Sequence, residues 1–178
     1  MHNDVPLWVQ TCLDQIAESP KTVLDLGGRD VNGTLRHLFP NIERYTVVDI
    51  RPGPNVDIVA NAAQVDLDDR FDLILCTETF EHTPYGEGIC WNAERLLKPG
   101  GYFICTTAWT CRAPHSGIDG RPLSGNEWSS DMNTVETQGR EYYANVDEAT
   151  LGAWMSVFAK VDINVYGCDI RAFGRKGE

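Results

Sequence analysis

The chain has 178 residues, 42% of them hydrophobic and 23% charged, which suits one domain with a buried core. Fifteen Lys plus Arg against 26 Asp plus Glu give a net charge of −11, which disfavours long contacts with a nucleic-acid backbone or an anionic membrane. No apolar run approaches the roughly 18 residues needed to cross a bilayer.

Val5, Trp8, Val9, Cys12 and Ile16 recur at helical spacing and predict an amphipathic helix over 5–18. "TVLDL" reads as a buried strand, and Asn32 to Phe39 as a short helix stopped by Pro40. "RYTVVDI" is a second strand, ended by the turn signal "RPGP", and "VDIVA" a short third. "FDLILCT" is apolar on both faces, as in the middle of a parallel sheet covered by helices. Ile89, Ala93, Leu96 and Leu97 form one face of a helix that ends at "KPGG", and "GYFICTTA" is a fifth strand.

Residues 107–141 show no sustained periodicity and read as one long loop of the kind that forms lids or binding segments. A helix follows in "ANVDEATLGAWMSVFAK", with Asn145 and Glu148 placed for a capping box. "VDINVYG" and "DIRAFGR" predict a terminal hairpin. Strand–helix alternation with such a hairpin argues for an α/β three-layer sandwich.

The opening "MHNDVPLWVQ" lacks the basic end and apolar stretch of a secretory signal, so a cytoplasmic location is expected. The cysteines at 12, 76, 90, 105, 111 and 168 form neither a C-x-x-C pair nor a zinc-like spacing with histidine. They are expected as reduced thiols, mostly in the core, with Cys111 in a loop as the candidate for reactivity. No metal site is expected.

Within "KTVLDLGGRDVNG" an apolar strand carrying Asp25 runs into Gly27, Gly28 and Gly33. The spacing does not meet the dinucleotide fingerprint G-x-G-x-x-G. Asp49 ends the second strand, where a carboxylate can accept from both ribose hydroxyls. A carboxylate just ahead of the glycines suits a cationic ligand better than a pyrophosphate. The pattern favours S-adenosylmethionine over NAD.

With "VVDI", "NAAQVDLDDRFDLILCTETFEHTP" and "AERLLKPGGYFICTT" following in order, nearly the whole chain resembles the class I S-adenosylmethionine-dependent methyltransferases, a Rossmann-like family, here of the type 11-like kind. The resemblance implies a mostly parallel seven-stranded sheet in the order 3-2-1-4-5-7-6 with an antiparallel last strand. It implies a single methyltransferase domain over 1–178, with 107–145 as a lid and acceptor-binding insertion. Gly27, Gly28 and neighbouring backbone would pack against the methionine part and ribose, and Asp25 would organise the amino-acid end. Asp49 would hold the ribose hydroxyls and Ile50 the adenine face, while Asn61 and Ala62 would meet the adenine edge. The carbonyl of Cys76 would accept from the ligand ammonium. Two departures stand out: "RDVNG" displaces the usual third glycine, and Asn61 stands where Asp is common.

Methyl transfer depends on alignment of the acceptor and, for a hydroxyl, on a base. Glu78, Glu81 and His82 follow strand four, and His115 and Asp119 lie in the long loop. His115, His82 and Asp119 are the catalytic candidates, His115 first as base, while His82 reads equally as a structural residue. Tyr142 and Tyr143 close over substrate or anchor the loop, and Trp109 and Trp128 point to an organic, partly apolar acceptor. The elements used for methylating DNA bases, (N/D)-P-P-(Y/W) and Pro-Cys, are absent, as is a compact Asp/Asn set for magnesium after strand five. The expected reaction is methyl transfer to a hydroxyl or amine of a small-molecule or saccharide-like acceptor. Two alternatives stay open, a catalytically silent binding or scaffold module and a nicotinamide-dependent reductase; a homodimer through the sheet edges or the lid also stays open.

Overall fold

The apolar runs of the sequence become the centre of one sheet. The computed structural model describes residues 4–178; the first three residues of the opening read for a secretory signal lie outside the described residues. In chain order the strands are β1 (Thr22–Leu26), β2 (Arg44–Asp49), β3 (Ile58–Val59), β4 (Phe71–Thr77), β5 (Leu97–Ala108), β6 (Trp128–Ser129), β7 (Glu141–Tyr142), β8 (Lys160–Tyr166) and β9 (Asp169–Arg175). Seven of them form a sheet in the order β3-β2-β1-β4-β5-β9-β8, and β6 and β7 pair separately. With that small pair set apart, the order is the one the resemblance implied. β1 to β5 run parallel, while β9 pairs antiparallel with both β5 and β8.

The helices are α1 (Asp4–Leu13), α2 (Gly86–Leu96), α3 (Met132–Gln138) and α4 (Glu148–Met155). Side chains alternate across each strand, so β4 feeds two cores. Leu73 and Leu75 join Val5, Val9 and Cys12 of α1 on one face. Ile74 and Cys76 join Ile89, Ala93 and Leu96 of α2 and Leu151 and Met155 of α4 on the other. Each fully buried Val, Leu, Ile or Met among these contributes about 1.5–3 kcal/mol.

Several local expectations are corrected. The first helix stops at Leu13 instead of reaching 18, and Ile16 sits in a turn whose N–H reaches the Leu13 carbonyl. The helix expected from Asn32 to Phe39 is a single 3-10 turn, Arg36–Leu38. Gly33 has a φ of 109° and its N–H is held by Asp30 Oδ1 at 2.8 Å; the few residues left before Pro40 are too short to nucleate an α-helix. Leu97 opens β5 rather than closing α2. At α4 the cap is Asp147, whose side chain accepts from the Thr150 N–H at 2.8 Å, and Asn145 instead donates to the Arg112 carbonyl.

The 107–141 stretch is ordered, with α3, β6 and β7 and many side chain–backbone hydrogen bonds. Ser116 Oγ donates to Glu141 at 2.8 Å and Gly117 N–H to the same carboxylate at 3.1 Å. Such contacts tie residues 25 apart and leave no periodic signal. Cysteine use also differs from expectation: Cys12, Cys76, Cys90 and Cys105 are buried free thiols, but Cys111 and Cys168 form a disulfide with Cα atoms 5.2 Å apart. The pairing depends on the β8–β9 turn folding back against the start of the 107–145 segment, which spacing in the sequence does not reveal.

Candidate active site

Parallel strands place their carboxyl ends along one edge of the sheet, where ligands of such folds bind. At that edge Gly27 adopts φ 78° and its N–H bonds the Val48 carbonyl at 2.8 Å, folding the chain sharply after β1. A Cβ on Gly27 would collide with Thr79, and one on Gly28 with the carboxylate of Asp25. The turn is therefore closed to larger residues by its own neighbours.

Two adjoining cavities open here. The larger, about 450 Å³, is lined by Asp49, Ile50, Asn61, Ala62, Ile89 and Tyr142 among others. The smaller, about 380 Å³, is lined by Asp25, Gly28, Thr77, Arg112, His115 and Ser116 among others. Gly27, Asp49, Glu78, His82 and Gly117 line both. Both volumes suit small-molecule sites.

Asp25 is buried; Tyr45 Oη donates to its Oδ2 at 2.7 Å, while Oδ1 has no hydrogen-bond partner. Burial pushes the Asp25 carboxyl up to about 6, against the Tyr45 hydrogen bond that lowers it. Asp49 accepts from the N–H groups of Arg51 at 2.9 Å and Arg29 at 3.3 Å. Each carboxylate oxygen keeps acceptor capacity beyond these bonds. Arg29 follows the glycine pair, and its Nη2 donates to the carbonyls of Gly117 and Ile118 at 2.9 and 2.7 Å. It ties the glycine turn to the 107–145 segment.

Ile50 is 67% exposed, an apolar platform at the mouth of the larger cavity. Asn61 uses Oδ1 to hold the Ala63 N–H at 2.9 Å, an Asx turn, while Asn92 Nδ2 pins the carbonyls of Ala62 and Val65. Cys76 is buried in the sheet, and the cavity lining begins one residue later at Thr77.

After β4 the backbone is forced into an uncommon form. Glu78 has φ 52°, a left-handed conformation that non-glycine residues adopt at a cost. Its N–H bonds the Thr106 carbonyl, and its carboxylate accepts from Thr106 Oγ1 at 2.8 Å and Arg112 Nη2 at 2.9 Å. Arg112 also reaches Asp169 at 3.0 Å, so one guanidinium fastens the root of the 107–145 segment to β4 and β9. Glu81 is fully buried; Oε2 accepts from Thr107 Oγ1 at 2.7 Å and Oε1 lies 3.8 Å from His115 Nε2. Burial, reinforced by the Glu78 charge, raises the Glu81 carboxyl.

Burial, reinforced by His115, lowers His82 to about 3, which keeps its imidazole neutral. The rings of His82 and His115 lie edge to face at 4.9 Å, and Tyr143 packs against both. Tyr143 is buried with its hydroxyl donating to the Ala113 carbonyl, an anchor rather than a flap. Trp128 packs against Tyr143, whereas Trp109 donates to Glu148 and packs on the main core.

The fold thus gathers Asp25, Gly27, Gly28, Asp49, Ile50, Asn61, Ala62, His82 and His115 around the two cavities. It does not bring Asp119 there: that carboxylate is exposed and engaged with the Arg121 N–H and guanidinium. Sequence reasoning passed over Arg29, Tyr45, Asn92 and Arg112. An Asn at a core-facing position of α2 was a readable signal; the partners of Arg29 and Arg112 were not, because they lie 88 and 34 residues away.

A family model described as a methyltransferase domain matches residues 1–159. Among curated proteins no relative matches by sequence. The fold is similar to the crystal structure of the N-methyltransferase NodS from Bradyrhizobium japonicum WM9, at 14% identity and TM-score 0.61, covering 97% of this chain and 94% of that one. It is also similar to the 1,6-didemethyltoxoflavin-N1-methyltransferase of Burkholderia thailandensis, solved with 1,6-didemethyltoxoflavin and S-adenosylhomocysteine, at 16% identity, TM-score 0.66 and 99% and 80% coverage. The chain belongs to the methyltransferase-domain family and has the fold of the class I S-adenosylmethionine-dependent methyltransferases.

Proposed function

We propose that this methyltransferase moves the methyl group of S-adenosylmethionine to an amine or hydroxyl of a small-molecule or saccharide-like acceptor held under the 107–145 segment. The observation that carries the reading is the shared wall of the two cavities: Gly27, Asp49, Glu78, His82 and Gly117 face both. A donor along the strand ends then lies beside an acceptor near His115.

The residues fit that cofactor. Asp49 accepts from the ribose hydroxyls with its remaining lone pairs, Ile50 covers the adenine face, and Asn61 and Ala62 form the adenine edge. The buried, unpartnered Asp25 Oδ1 is an acceptor for the cationic amino-acid end, directly or through water. At the end of β4 the Cys76 carbonyl would accept from the ligand ammonium. When bound, the cofactor supplies a methyl carbon on a sulfonium. On the acceptor side, the 107–145 segment excludes water and aligns the nucleophile, and His115 Nε2 stands beside Glu81 to take the acceptor's proton. His82 stays neutral and packs that pair in place.

The N-methyltransferase names of similar structures and the segment's aromatic surface favour an organic acceptor. The test is incubation with S-adenosylmethionine and panels of small amines, alcohols and saccharides, with release of S-adenosylhomocysteine measured. Acceptor-dependent release supports the reading. Tight cofactor binding without release on any panel turns the assignment toward a silent binding module.

A further inference from the structure

We propose that Glu81, His82 and His115 hold one divalent first-row transition cation, and that this cation binds a hydroxyl oxygen of the acceptor. The inference rests on the methyl-transfer reading for the acceptor's identity, but its ligand set stands on geometry alone. Each of the three side chains offers one ligand atom, and these atoms all lie within 4.8 Å of one another.

Glu81 is fully buried, yet its Oε1 has no hydrogen-bond partner and points to His115 Nε2 at 3.8 Å. That separation is too long for a hydrogen bond. It is close to the roughly 3.4 Å between ligand atoms that each bond a tetrahedral cation at about 2.1 Å. An oxygen left unsatisfied in the interior is costly, and a cation at this point satisfies it.

The surrounding contacts orient the donors as metal ligands are usually oriented. Thr107 Oγ1 fixes the other oxygen of Glu81 at 2.7 Å. His115 Nδ1 lies 3.3 Å from the Ala113 carbonyl, which directs the Nε2 lone pair inward. The buried Nδ1 of His82 has no hydrogen-bond partner. Two imidazoles and one carboxylate select zinc-, cobalt- or manganese-like ions over magnesium and calcium. Three protein ligands leave a position open for an outside oxygen, and His82 and His115 both line the smaller cavity from which that oxygen would come.

The consequence for chemistry is a preference for oxygen nucleophiles. A cation-bound hydroxyl loses its proton to water more readily. The oxygen's electron pair then forms the O–CH3 bond as the C–S bond breaks and sulfur keeps its pair. In the loaded protein His115 is a ligand, and the cation takes over the proton-releasing task.

The experiment is a titration of chelator-stripped protein with cobalt(II), followed by visible absorption, with no cofactor present. One equivalent should bind and develop the bands of a low-coordinate nitrogen/oxygen site. His115→Ala and Glu81→Gln should each weaken cobalt binding by about 100-fold or more, while His37→Ala should leave it unchanged. His115 is partly exposed, so that variant keeps the test open if Glu81→Gln does not fold. Absence of stoichiometric cobalt binding, or equal binding by both variants, overturns the proposal. Calorimetry of the same preparation with S-adenosylhomocysteine separates the two claims: nucleoside binding without cobalt binding removes the metal site alone, and cobalt binding without nucleoside binding removes the methyl-transfer reading alone.

Discussion

The two walls of the site are built by different means. The wall proposed to hold the cofactor consists of strand ends: Asp25 lies in β1, Asp49 closes β2 and Gly27 follows β1, all held by the sheet's own register. The wall proposed to hold the acceptor is a segment without long elements, fixed by individual bonds: Arg112 to Glu78 and Asp169, Ser116 to Glu141, Arg29 to two carbonyls, and a disulfide at its root. A wall set by strand register holds a fixed ligand shape, and a wall set by separate bonds can be changed residue by residue. Under the proposed function, the first wall would fix the donor and the second would select the acceptor.

The largest expected effect breaks the acceptor wall and leaves the other intact. His115→Ala should lower turnover by about 100-fold or more, the usual size of a lost acid–base group, with S-adenosylhomocysteine affinity unchanged by calorimetry. A parallel loss of nucleoside affinity would mean that the two walls are not separate.

Next comes the root of the segment. Cys168→Ser opens a crosslink spanning 57 residues, which in the chain-entropy account removes about 4 kcal/mol. Denaturant unfolding under non-reducing conditions reads that loss directly, and reducing agent should bring the parent protein to the variant's value. The acceptor KM should rise more than the cofactor Kd.

A smaller effect tests the cofactor wall through pH. Because burial raises the Asp25 carboxyl from 3.8 to about 6, the folded protein binds the extra proton between those values. Its contribution is therefore intact below about pH 4 and falls as pH rises through 6. Asp25→Asn should stabilise the cofactor-free protein at pH 7 by at most on the order of 3 kcal/mol, and make no difference near pH 3.5. The same change should weaken cofactor binding. Melting curves at the two pH values, with and without nucleoside, check both statements.

The contrast between the walls also explains what was legible in the sequence. Strand periodicity and the glycine turn are local signals. The strands that carry Asp25 and Asp49 form where they were read, and Gly27 makes the turn after the first, while the sheet order followed from the family resemblance. The helix expected at 32–39 was not formed, because Asp30 and Gly33 spend that stretch in a turn. Residues 107–141 read as one long loop because their order comes from pairs distant in sequence, such as Ser116 with Glu141 and Cys111 with Cys168. His115 was noticed as a loop histidine next to chemistry, but its approach to the buried Glu81 depends on the turn at Pro114–Leu123. Asp119, four residues on in the same segment, faces outward for the same reason.

The central claim is that Asp49 holds the donor on a wall that exists before any acceptor arrives. Calorimetric titration of the parent protein and of Asp49→Ala with S-adenosylhomocysteine tests it most directly. Loss of the bonds to two ribose hydroxyls should weaken binding by about 100-fold or more, with the fold intact by circular dichroism. Equal affinity in the two proteins, or no binding by the folded parent, would contradict the account.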